Sequence, residues 1–94
     1  MALYSLIIEH DGKSYSTQVV ADTVTVAVAE YLSRIYPVTR QEAFGDAAPE
    51  LSPEDVIYVT PMQGLVNLWA ACAGREGCYV NFVCASTVQN QEAR

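Results

Sequence analysis

The stretch Tyr4–Ala21, YSLIIEHDGKSYSTQVVA, decides the fold. Tyr4 to Glu9 and Ser14 to Ala21 both alternate apolar and polar residues at the period of two that a half-buried strand requires. His10-Asp11-Gly12-Lys13 joins them, and Asp-Gly is a favoured centre for a two-residue type I′ turn, because both positions tolerate a positive φ. Centring the turn there fixes the register. Ile8 falls opposite Tyr15, Leu6 opposite Thr17 and Tyr4 opposite Val19, an apolar face suited to the core. Leu3, Ser5, Ile7, Ser16, Gln18 and Val20 fall on the other face.

Downstream of the hairpin, Val24, Val28, Tyr31 and Ile35 share one helical stripe with Ala27 and Leu32 beside it, which predicts a helix over residues 23–36. Asp22 or Thr23 serves as N-cap, and Pro37 is expected to stop the helix by disfavouring the α conformation at Tyr36. Residues 38–55 read as a connection. Within it, Thr39-Arg40-Gln41-Glu42 fits a capping box, and Ser52-Pro53-Glu54-Asp55 fits a one-turn helix with proline at its first position. Three strand-like runs follow, Val56 to Thr60, Leu65 to Ala73 and Cys78 to Thr87, the last two joined through Gly74-Arg75-Glu76-Gly77.

These elements predict an α+β domain in two layers, of β-β-α-β-β-β order, with one main helix on one face of a mainly antiparallel sheet whose other face stays uncovered. Residues 1–88 form that single domain and 89–94 a polar tail. The opening hairpin, Asp22-Thr23 and the helix resemble the start of a ubiquitin-like β-grasp layout, which is the alternative architecture. The resemblance covers the first third of the chain and brings no functional motif with it.

The 94 residues are 51% hydrophobic and only 17% charged, which leaves apolar side chains for the surface and favours a partner-covered face. Eleven acids against five bases give a net charge of −6, which repels nucleic-acid phosphates and anionic membranes. Direct nucleic-acid binding and membrane binding are therefore not expected. The N-terminal MALYSLIIEHDGK has no basic region before its apolar run, unlike a signal peptide. With the odd number of cysteines, Cys72, Cys78 and Cys84, this points to a cytoplasmic protein with reduced thiols.

Catalytic residues are not indicated. His10 is the only histidine and reads as a solvated turn residue. The cysteines fall six residues apart, outside metal-ligand spacing, and no Gly-x-Gly-x-x-Gly motif, Walker loop or Ser/His/Asp set is present. The expectation is a protein that is not an enzyme and takes no metal and no cofactor. If Cys72 faces Cys78 across the last turn, the two thiols come within bridging distance, although buried apolar thiols are the reading preferred.

Two candidate partner-binding surfaces remain. Between Gln41 and Gly74 lie Glu42, Asp46, Glu50, Glu54 and Asp55 with no Lys or Arg, a field suited to steering a basic protein. With Cys72 opposite Cys78, Asn67 and Trp69 join Tyr79 and Asn81 on the uncovered face, where aromatic residues are strong binding anchors. An inverted parity would place Trp69 against the helix instead. The leading expectation is a small inhibitor or immunity-type protein acting on a toxin, nuclease or nucleic-acid-binding complex. A homodimeric structural or regulatory module and a small-molecule binder using the open sheet face are the alternatives.

Overall fold

The computed structural model describes residues 1–87. The expected tail at 89–94 lies outside them. Strands β1 (Ala2–His10) and β2 (Lys13–Ala21) form the hairpin in the predicted register, Ile8 to Tyr15, Leu6 to Thr17 and Tyr4 to Val19. Asp11 and Gly12 take φ of 52° and 80°, the two left-handed positions of a type I′ turn. β3 (Val56–Pro61), β4 (Leu68–Arg75) and β5 (Cys78–Thr87) complete a sheet of order β2-β1-β5-β4-β3, antiparallel at every pairing. The likeness to a β-grasp layout ends with the helix.

One 21-residue helix packs on one face of this sheet, running as α1 (Val24–Glu30), a π-helical stretch (Tyr31–Ile35) and α2 (Tyr36–Phe44). Thr23 caps its start, its hydroxyl accepting from the Val26 amide at 3.2 Å. Pro37 does not end the helix, contrary to expectation. The Tyr36 amide reaches back to the Tyr31 carbonyl, five residues away, and this wider turn brings Pro37 into the first turn of α2, where a missing N–H costs little. Thr39, expected in a capping box, instead gives its hydroxyl proton to the Ile35 carbonyl at 3.0 Å inside the continuing helix. The helix ends at Gly45, whose amide bonds the Gln41 carbonyl at φ 90°. The short helix at 53–55 forms as expected.

The two layers meet over Tyr4, Leu6, Ile8 and Val19 from the hairpin, Ala27, Val28, Tyr31 and Leu32 from the helix, and Ala71, Ala73, Val80, Phe82 and Cys84 from β4 and β5. Each large side chain fully buried here contributes about 1.5–3 kcal/mol. Tyr31 lies at the centre, edge-on to Phe82 at 5.7 Å and tilted against Tyr36 at 5.8 Å. Its hydroxyl is buried with no hydrogen-bond partner among the described residues, and burial first, then neighbouring Tyr36 and Tyr15, raises its pKa. Thr39 is the adjacent hydroxyl, but its proton goes to Ile35. Removing an unpaired buried hydroxyl relieves about 1 kcal/mol of desolvation, so Tyr31→Phe is expected to hold or raise the denaturation midpoint. Tyr36→Phe, which deletes a 2.6 Å bond from the hydroxyl to the Pro49 carbonyl, is expected to lower it. Urea titrations of the two variants beside the wild type check the contrast.

Candidate functional site

The register of β4 and β5 decides what the uncovered face presents, and it differs from the expectation. The turn is the two residues Glu76 and Gly77, at φ 56° and 83°, flanked by Arg75 opposite Cys78. Cys72 consequently pairs with Asn81 and not with Cys78, a displacement of three places. An odd displacement turns every β4 side chain to the other face. Trp69 therefore lies opposite Cys84 on the helix side, half-buried, its ring edge-on to Tyr4 at 5.9 Å. Asn67 lies ahead of β4 in the β3–β4 loop at φ 62°, its carbonyl accepting from the Ser86 amide. Neither belongs to the open face. Cys72 and Cys78 lie on opposite faces, and all three cysteines are free.

Tyr79 and Asn81 do stand exposed on the open face as expected. Tyr79 lies across Gly74: a Cβ there would run into the Tyr79 ring and come within 2.8 Å of the Cys78 carbonyl oxygen, so only glycine leaves room for the ring. Two cross-strand rows span the centre of the sheet. One runs Ser16, Ile7, Val83, Ala70, Thr60, and the next runs Ser14, Glu9, Asn81, Cys72, Tyr58. Ile7, Val20, Tyr58, Tyr79 and Val83 keep 40–50% of their surface exposed. Among the described residues of this face Glu9 is the one charged side chain. The signal for Ile7 and Val20 was already in the hairpin alternation, and that for Val83 in the alternation of β5 with Tyr79 and Asn81; Tyr58 became legible only with the register of β3 to β4.

Three of the five acidic residues have partners within the chain. Asp55 closes a capping box, its carboxylate accepting from the Ser52 amide at 2.8 Å, and it pairs with Arg75 at 2.8 Å. The Ser52 amide first, then Arg75, lowers its pKa. Glu50 faces Arg40 at 3.8 Å, and Asp46 accepts from the Gln41 side-chain amide. Glu42 and Glu54 stand exposed on the helix and the short 53–55 turn. Three further acids, Glu9, Asp11 and Glu76, lie toward the end of the sheet that carries both the β1–β2 and the β4–β5 turns.

Because the folded-state pKa of Asp55 is depressed, its carboxylate stabilises the fold above the ordinary carboxylate range, and this contribution is lost as pH falls through the lowered value. Asp55→Asn is thus expected to be less stable than wild type at neutral pH, with the difference closing in acid. Denaturation midpoints of both proteins along a descending pH series check this.

Of the remaining reactive groups, Cys78 is an exposed free thiol, while His10, Cys72 and Cys84 are held within the fold. His10 is half-buried, edge-on to Phe44, and its Nδ1 donates to the Tyr79 carbonyl at 2.8 Å, so the expected solvated turn residue is in fact tied to β5. Burial pushes the Cys84 thiol up to about 11 and raises that of Cys72, which suppresses the thiolate form a nucleophile needs. Among the described residues no three His, Cys, Asp or Glu side chains come together as metal ligands, and no helix is long and apolar enough to cross a membrane. Three hollows among the described residues are small: about 240 Å³ beside Tyr36, Arg40 and Glu50, about 200 Å³ over Ile7, Asn81 and Val83, and about 250 Å³ beside Val26, Glu30 and Pro53. Comparison with protein families, with curated proteins and with solved structures finds no match.

Proposed function

We propose that this chain is a stoichiometric protein-binding module of inhibitor or immunity type, acting in the cytoplasm through the open face of its sheet and not by catalysis. The observation that carries the reading is an exposed five-stranded face with Ile7 and Val83 at its centre, Tyr79 and Tyr58 toward its margins and, among the described residues, a single charge, Glu9. Five strands at about 4.8 Å spacing and about eight residues long make a face of about 600 Å². A standard interface buries about 800 Å² per partner. Apolar, weakly charged centres with aromatic anchors are characteristic of such interfaces.

The partner that fits offers a matching apolar patch flanked by basic residues. Glu9, Asp11 and Glu76 at the edge of the face, with Glu42 and Glu54 exposed elsewhere on a chain of net charge −6, favour its approach. A nuclease, toxin or other nucleic-acid-handling protein has this character. The small-molecule alternative is less well supported, because the hollow on the face is below the roughly 300 Å³ that enclosed ligand sites start from. The test is partner capture by the wild type and by Ile7→Asp/Val83→Asp. The reading requires the second to lose the partner while remaining folded.

A further inference from the structure

The sheet has two edges, and they differ. β3 is six residues long, carries a bulge between Val56 and Tyr58 and ends in Pro61, features that hinder the addition of another strand. β2 is nine residues long, paired without a register shift, and contains no proline; its one charged residue, Lys13, lies at its end. Such a strand is an unprotected template for pairing. We propose that β2 pairs antiparallel with β2 of a second copy about a two-fold axis at Thr17, extending the sheet to ten strands.

The hydrogen-bonding phase of the hairpin leads to this register. A two-residue type I′ turn makes His10 and Lys13 a mutually bonded pair. Alternation from that pair directs the N–H and C=O of Tyr15, Thr17 and Val19 to β1. Those of Ser14, Ser16, Gln18 and Val20 point away from the sheet, and no backbone bond outside the sheet ladder engages them among the described residues. A two-fold at Thr17 sets Ser16 opposite Gln18 of the second copy and Ser14 opposite Val20, so the outward-pointing residues meet one another. This forms about eight backbone hydrogen bonds, two for each such pair.

The side chains agree with the same register. Thr17 meets Thr17, Tyr15 meets Val19, and Ser16 meets Gln18, all neutral pairs of types that stabilise neighbouring strands. Lys13 falls opposite Ala21 and next to Asp22 of the second copy at each end, and both Lys13 and Asp22 are exposed. Opposite charges thus bracket a neutral strand, which offsets part of the long-range repulsion between two acidic chains. The axis runs perpendicular to the sheet, so both helices lie on one side and both open faces on the other. The inference does not depend on the protein-binding reading, since it uses the edge and leaves the face free.

The test is site-specific crosslinking of the full chain in a Cys78→Ser background, which removes the exposed native thiol. At a non-hydrogen-bonded antiparallel position the two Cα atoms lie about 4.5 Å apart, within disulfide range. Thr17→Cys is therefore expected to form a disulfide-linked dimer under mild oxidation. Gln18→Cys, which faces Ser16 of the second copy, is expected to stay monomeric. In parallel, sedimentation of the wild type should show a concentration-dependent dimer. Ser16→Pro, which removes an outward N–H and no ladder bond, should be a folded monomer. A wild type that is monomeric at every concentration would overturn the proposal. So would equal crosslinking at 17 and 18, a comparison that stands even if Ser16→Pro does not fold.

Discussion

Ile7→Asp/Val83→Asp is expected to weaken partner binding by more than about 100-fold, some 2.8 kcal/mol, while the chain stays folded with a lower urea midpoint, because the two carboxylates stand opposite each other across β1 and β5. Ile7 and Val83 are cross-strand neighbours at the centre of the open face, half-exposed and pointing away from the core. In the free chain a carboxylate at either position stays in water and adds no buried charge. In a complex that covers the face both carboxylates lose their water without a counter-ion, and an unpaired desolvated charge costs several kcal/mol. The penalty therefore falls mainly on the bound state. Isothermal titration against the captured partner reads the affinity, and circular dichroism establishes that the variant is folded. Unchanged affinity would remove the open face from the account.

The largest effect on stability is expected one residue away. Phe82 is 2% exposed, edge-on to Tyr31, and faces the helix. Phe82→Ala leaves a cavity beneath the helix and is expected to cost about 3–5 kcal/mol, a large share of the 5–15 kcal/mol that holds a typical domain together. Val83→Ala, adjacent on the same strand but on the open face, is expected to cost less than about 1 kcal/mol. Comparable losses at the two positions would mean that both faces of β5 are buried in the isolated chain.

The same contrast explains what could be read from the sequence. Asp11-Gly12 names its own turn type, and the alternation on both sides admits one register, so the hairpin was fully legible. Glu76-Gly77 forms the same kind of turn, but glutamate is not a residue that announces a left-handed position, and the glycine at 74 invited a longer turn. The resulting three-place displacement reversed the parity of β4 and put Trp69 on the wrong face, while Tyr79 and Asn81, in β5, kept theirs. Pro37 misled for a different reason. The rule that proline ends a helix assumes a regular hydrogen-bond ladder, and the π turn at Tyr31–Ile35 alters that ladder just before it. The acidic residues were legible as a run in the chain, but their partners within the fold were not. Asp55 is occupied by Ser52 and Arg75, Glu50 faces Arg40, and the acids nearest the open face, Glu9, Asp11 and Glu76, are spread through the sequence.

The most direct test is partner capture by the tagged full chain at about 0.1 M and about 1 M salt, where screening lengths are about 10 and 3 Å. Binding centred on the weakly charged face is expected to retain a stoichiometric partner at both concentrations, with a slower association at high salt, and to lose it at both when Ile7 and Val83 are replaced by aspartate. A partner released by 1 M salt and still held at low salt by the Ile7→Asp/Val83→Asp protein would contradict the account.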